Sequence, residues 1–276
     1  MNCIICKEDS SNSRSKEHII PESLGNDEHV LPRGIVCDAC SNYLAREVEK
    51  PLLDTTYFRE MRYRARIRTK SRHPPSVLGV HLQSMLPVNL YADVGNYPTS
   101  IAAAYPEDEI RWIRSVRAAK RGTLIVPLST KPEDRLVSRF LCKVAIEALA
   151  LRLLDIPGGI REIVDKKELD PLRTYVRRGQ PPRPWTYHER PLYALDHVFH
   201  EFCYGSYEVL HEWGFVYTQH EQLYLVLALF GVEYAINLAG PEIEGYESWL
   251  AEHGGRSPLY LDDIANTESR DQAEHQ

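Results

Sequence analysis

Apolar positions recur along this chain in two rhythms. In PEDRLVSRFLCKVAIEALALRLLD, positions 136, 137, 140, 141, 144, 145, 148 and 149 follow a helical period. Pro132 suits a first turn and Gly158–Gly159 follow the last, so one long helix is expected there, with Cys142 beside its apolar stripe as a packing residue. Elsewhere the period is two. VLGVHLQSMLPVNLYADV and GTLIVPLST read as strands, and QLYLVLALF and VEYAINL, joined at Gly231, predict an antiparallel sheet. DHVFHEF reads as helix surface: His197, His200 and Glu201 have partial metal-ligand spacing but no third ligand in register. From Cys3 to Leu53 there is no sustained period, only loops and a short helical pattern near Asp38.

The stretch YFREMRYRARIRTKSRHPPS stands apart. Arg62, Arg64, Arg66 and Arg68 alternate with Tyr63, Ala65 and Ile67, which as a strand would put four guanidiniums on one face. With Arg59, Lys70 and Arg72 they form a candidate nucleic-acid-binding surface, and Pro74–Pro75 ends the stretch. The expected division is a module at 1–54, a basic linker or strand at 55–75, an α+β domain of unassigned role at 76–261, and an acidic, disordered tail at 262–276. The fold class is therefore α+β, a small loop-rich module followed by a larger domain with an antiparallel sheet.

Charge sharpens this division. Residues 55–183 hold 24 Lys and Arg against 13 Asp and Glu, whereas residues 184–276 hold 3 against 16, so the net −6 hides a basic middle and an acidic end. The middle is the candidate phosphate-facing surface. No apolar run approaches the roughly 20 residues of a membrane span, and MNCIICKEDS does not read as a signal peptide. A cytoplasmic protein with no membrane partner is expected, and in that reducing compartment cysteine spacing matters more than cysteine number.

That spacing is informative. Cys3-x-x-Cys6 and Cys37-x-x-Cys40 supply four thiolates for one tetrahedral structural zinc. A loop-rich segment of this size cannot bury enough apolar surface to fold alone, and a bound ion solves that problem. A metal closed by four thiolates is catalytically inert, so any chemistry lies between the knuckles, in Ser15-Lys16-Glu17-His18-Ile19-Ile20-Pro21-Glu22-Ser23-Leu24-Gly25-Asn26.

With its two knuckles flanking EHIIPESLG in that order, the N-terminal module resembles the HNH (ββα-metal) endonucleases. The resemblance covers roughly the first 54 residues. It implies His18 as general base and Glu17 as acidic ligand of a catalytic Mg²⁺ or Mn²⁺. It also implies a second oxygen ligand just after the last cysteine, where the family has Asn or His and this chain has Ser41 followed by Asn42. Three readings are open: Ser41 holds the metal directly or through water, Asn42 takes its place by a small helix rotation, or the site is impaired. Asn42, Arg46 and Glu49 share a helix face by spacing, so Glu49 is a further ligand candidate, with a salt bridge to Arg46 or Lys50 as its ordinary role. His29 and Arg33 are candidate phosphate contacts or plain surface residues. The expected activity is hydrolysis of phosphodiester bonds in nucleic acid, DNA first, leaving 5′ phosphate and 3′ hydroxyl ends. The competing reading is a non-catalytic zinc module that binds nucleic acid or a protein.

Overall fold

The computed structural model describes residues 1–68, 73–92, 100–118, 121–127, 129–179, 185–194, 197, 199–201, 205–207 and 209–260. Lys70, Arg72 and the tail from Asp262 lie outside them. Two compact units result: Met1–Pro21, Asn26–Lys50 and Glu133 onward form the first, and Glu22–Gly25 with Pro51–Pro132 form the second.

The first unit begins with β1 (Glu17–His18) paired antiparallel to β2 (Val30–Leu31), followed by α1 (Asp38–Leu44). Cys37 caps α1, accepting from the Cys40 N–H at 3.4 Å, and Asp38 accepts the backbone N–H groups of Arg14 and Ser15 at 3.0 and 2.8 Å. The approach to β1 is thereby tied to the first turn of α1. A π-helical turn, Ala45–Glu49, and α2 (Lys50–Leu53) complete the module's helical end.

In the second unit the basic stretch departs from the strand expectation. Residues Thr56–Arg64 form helix α3, capped by Thr55, which accepts from the Phe58 N–H at 3.4 Å. A capped segment whose Arg62 side chain also donates to the carbonyl of Phe58 one turn back satisfies its backbone internally, and this outweighs the alternation of charge. The row of four guanidiniums therefore does not form. Arg62 is buried, donating to the carbonyls of Leu53 and Phe58 at 2.7 and 3.3 Å; Arg64 pairs with Glu60; Arg59 donates to the Ser76 carbonyl at 3.3 Å. Burial pulls the Arg62 guanidinium below its ordinary range. A four-stranded antiparallel sheet follows, β3 (Val77–His81), β4 (Leu86–Tyr91), β5 (Ser100–Ala103) and β6 (Leu124–Ile125) in the order β5-β4-β3-β6, with α4 (Glu109–Ala118) before β6.

The chain returns to the first unit through α5 (Asp134–Arg152), the long helix the apolar period predicts, then α6 (Gly159–Asp165) and α7 (Asp170–Arg178). After them come β7 (Tyr187–Pro191), the small hairpin of β8 (Phe199–Glu201) and β9 (Gly205–Tyr207), and then β10 (His211–Tyr217), β11 (Leu223–Leu229) and β12 (Val232–Asn237). His200 and Glu201 thus sit in a strand, correcting the helical reading of DHVFHEF. The main sheet is antiparallel in the order β10-β11-β12-β7. Phe230 and Gly231, both at positive φ, make the two-residue turn between β11 and β12. A side chain at Gly231 would run into the Tyr193 carbonyl at 2.2 Å, so glycine is required there. Val216, Tyr224, Val226 and Ala235 form a core with Tyr246 and Leu250 of α8 (Glu244–Glu252), and α5 packs against β12.

α5 differs from an ordinary amphipathic helix: it is buried nearly all round, including Arg139, Lys143 and Glu147. These three follow one another at i+4 spacing, so a polar stripe on an otherwise apolar helix is turned inward.

Candidate functional site

The four knuckle sulfurs Cys3, Cys6, Cys37 and Cys40 lie within 4.8 Å of one another. Tetrahedral zinc with bonds of about 2.3 Å needs sulfurs about 3.8 Å apart. Cys6 Sγ and Cys37 Sγ are 3.6 Å apart, so the donor set fits zinc in both chemistry and size. Backbone N–H groups support the sulfurs: Ile5 and Cys37 donate to Cys3 Sγ at 3.4 and 3.3 Å. Thiols packed this closely cannot all ionise without a cation. A hydrogen bond from Cys40 holds Cys3 down to about 4, the same bond and burial push Cys40 up, and burial pushes Cys6 up to about 11.

Helices from the middle of the sequence brace this module. Arg173 of α7 donates to the Ile4 carbonyl inside the first knuckle at 2.8 Å, and Lys7 pairs with Asp170. Arg139 of α5 donates to the Glu47 carbonyl at 2.9 Å and the Tyr43 hydroxyl at 2.7 Å, and Tyr43 in turn donates to the Arg177 carbonyl. Loop-rich backbone leaves carbonyls without partners, and buried cations supply the missing donors. Part of the basic middle is thus an internal scaffold and not a phosphate-facing surface.

The candidate catalytic pair lies on β1. Glu17 is 7% exposed and His18 is half-buried, its Nδ1 buried with no hydrogen-bond partner among the described residues. Behind them, fully buried Lys143 donates to the His18 and Ile19 carbonyls at 2.7 and 3.3 Å. Its ammonium also meets Glu17 at 3.3 Å, Glu49 at 2.8 Å and Glu147 at 2.7 Å. Burial alone would push the ammonium down, but the Glu147, Glu49 and Glu17 carboxylates outweigh it and hold Lys143 above the usual lysine range. Burial pushes the Glu147 carboxyl well up, against the pull of the Lys143 ammonium.

This corrects the reading of Glu49. The π-helical turn is wider than an α-helical one and breaks the face that spacing assigns to Asn42, Arg46 and Glu49. Asn42 and Arg46 stay exposed, Arg46 pairs with Glu47 at 2.6 Å, and Glu49 turns inward to Lys143. Ser41 is half-buried on α1; among the described residues no hydrogen bond or ion pair joins Ser41 or Asn42 to Glu17. The Lys143 ammonium thus gathers the Glu17 and Glu49 carboxylates and the His18 carbonyl, while Ser41 and Asn42 lie on α1. Lys143 has no counterpart in the sequence reading, although a lone Arg-Lys-Glu stripe in an apolar helix signals a buried ion pair.

A short antiparallel β-pair followed by a helix, stapled at a four-cysteine cluster, is the ββα architecture of a zinc-stapled HNH module. Residues 3–56 match the family model of the HNH endonucleases. No curated protein and no solved structure matches the chain. Among the described residues no helix is long and apolar enough to cross a membrane.

Proposed function

We propose that the protein is a metal-dependent endonuclease hydrolysing phosphodiester bonds in nucleic acid, with DNA as the first substrate to test. His18 accepts a proton from water as the water oxygen attacks phosphorus, and the bond to the 3′ oxygen breaks; that oxygen takes a proton from solvent, leaving a 5′ phosphate and a 3′ hydroxyl. Glu17, with Ser41 or Asn42, would hold Mg²⁺ or Mn²⁺, which supplies charge stabilisation at the leaving oxygen. A carboxylate accepts at two oxygens, so the Glu17 contact with Lys143 is compatible with this role. The observation that carries the reading is the placement of Glu17 and His18 side by side on β1, inside a segment that matches an endonuclease family, with an unpartnered buried imidazole nitrogen. Arg59, Arg64, Arg66 and Arg68, with Lys70 and Arg72, are the proposed phosphate contacts; Arg62, engaged internally, is not.

Ser41, at the position where the family has Asn or His, favours a second reading, a zinc module that binds nucleic acid or a protein without cutting. Plasmid, linear duplex, single strand, branched DNA and RNA incubated with Mg²⁺, Mn²⁺ or chelator separate the two. The nuclease reading expects metal-dependent cutting that His18→Ala lowers roughly 10²–10⁴-fold while zinc content and melting temperature hold. Equal cutting by His18→Ala rejects His18 as the base, and wild-type protein that cuts nothing with any metal supports the binding module.

A further inference from the structure

β10 is an edge strand, and successive side chains alternate across it: His211, Trp213 and Phe215 to one side, Gly214 and Val216 to the other. A hollow of about 490 Å³ adjoins this edge, lined by His29, Arg152, His211, Trp213 and Phe215. Small-molecule sites span roughly 300–1,000 Å³, so the hollow is large enough to seat a planar ring with room at its edge.

Three observations narrow the guest. First, the wall is aromatic, and its rings meet edge to face: His29 with Trp213 at 5.6 Å and 77°, His29 with His211 at 5.8 Å and 70°, and Trp213 with Phe215 at 5.9 Å and 79°. None of these pairs is a face-to-face stack, so no ring here is covered by a parallel neighbour in these pairs. Second, His29 Nδ1 is buried with no hydrogen-bond partner among the described residues, although the backbone N–H and carbonyl of His29 are both engaged. Third, the lining includes the acid Glu212 as well as Arg152, so its charge is mixed and it is not a phosphate trap. A flat heteroaromatic ring with hydrogen-bonding edges fits this chemistry better than an anion does.

The location completes the argument. His29 directly precedes Val30, which pairs with His18 across the β1–β2 hairpin. The hollow is therefore lined by the residue that leads into β2, the strand paired with the one carrying the candidate general base. We propose that it holds an unpaired nucleobase flanking the scissile phosphate, stacked against Trp213 and touched by His29. This rests on the nuclease reading for the position of the scissile bond, but not for the binding of the base. A base inside a duplex must leave its stack to enter, so single-stranded or mismatched sites are preferred over intact duplex.

The test uses full-length, zinc-loaded His18→Ala protein, which does not consume its ligand, and short single-stranded DNA carrying a fluorescent adenine analogue at successive positions. The expected result is quenching confined to one or two adjacent positions. An abasic residue there should weaken binding roughly 5- to 100-fold, the usual contribution of one base–aromatic stack. Trp213→Ala should weaken binding of the intact strand by the same factor and add nothing once the base is missing, while Trp213→Phe retains most of the affinity. The abasic series needs no change in the hollow, so it decides the matter even where Trp213→Ala fails to fold. Uniform quenching, an abasic series without effect, or no binding of oligonucleotide overturns the proposal. Wild-type cutting that ignores abasic sites removes the base site and leaves the nuclease reading intact. Localised quenching by a wild-type protein that never cuts does the reverse.

Discussion

Two clusters hold the N-terminal module, and each converges on one point by different means. Cys3, Cys6, Cys37 and Cys40 come from two short motifs within the module itself and present a donor set sized for a zinc ion. Glu17, Glu49 and Glu147 converge instead on the ammonium of Lys143, which α5 delivers from more than a hundred residues away along the chain. The first cluster is local, repeated in spacing and chemically self-contained. The second exists only after the fold has formed, and it stands directly behind the proposed catalytic pair. A structural ion can be recognised by its ligands alone; a charge that positions a site has to be found through the fold.

The sharpest way to break the comparison is to remove the zinc. Elemental analysis should find one zinc per chain, and Cys37→Ser or Cys40→Ser should forfeit on the order of 10 kcal/mol of metal-linked folding energy. The measurement is zinc content with circular dichroism and limited proteolysis. Protein that keeps its fold and resists proteolysis without zinc would mean that the helices alone support the module.

A smaller effect is expected at the other cluster. Lys143→Met leaves Glu17, Glu49 and Glu147 facing one another without a cation, which should cost about 3–5 kcal/mol in urea unfolding. Lys143→Met combined with Glu147→Leu removes one of the stranded carboxylates and should recover part of that loss. If the single variant unfolds with the wild type, the ammonium is not what holds these carboxylates, and the contrast between the clusters disappears.

The least destabilising change concerns the arginines of the second unit. Arg62→Gln withdraws two hydrogen bonds to buried carbonyls and should destabilise by about 1–3 kcal/mol without altering the salt dependence of nucleic-acid binding. Arg68→Gln, at an exposed position, should leave stability within about 0.5 kcal/mol. It should flatten the slope of log binding constant against log salt by roughly 0.7–0.9. Identical slopes for the two variants would show that exposure does not select the phosphate contacts.

Much of this was legible in the chain. The knuckles, the long helix and the hairpin at Gly231 each rest on short-range signals: a spacing or a period. The errors share a cause. Arg62 to Arg68 alternate as a strand would, but Thr55 and Phe58 start a helix whose backbone bonds outweigh that pattern. Glu49 falls on the exposed face only while the helix stays α, and one π turn moves it inward. Trp213 and His29 lie far apart in the sequence, so no local window joins them. Lys143 stands at a helical position where a polar residue ordinarily faces water, and only the packing of α5 reveals that it does not.

The three buried cations of α5 and α7 also bear on transplantation. Arg139, Lys143 and Arg173 reach the carbonyls of Glu47, His18 and Ile4, so the first 54 residues carry bonding needs that they do not meet themselves. A graft of those residues onto another scaffold would bring along the cysteines and the Glu-His dipeptide while leaving these carbonyls without donors and Glu17 without its counter-ion. The smallest exchangeable part is therefore discontinuous: the knuckles together with the two helices that brace them, cut from separate stretches of the gene and rejoined.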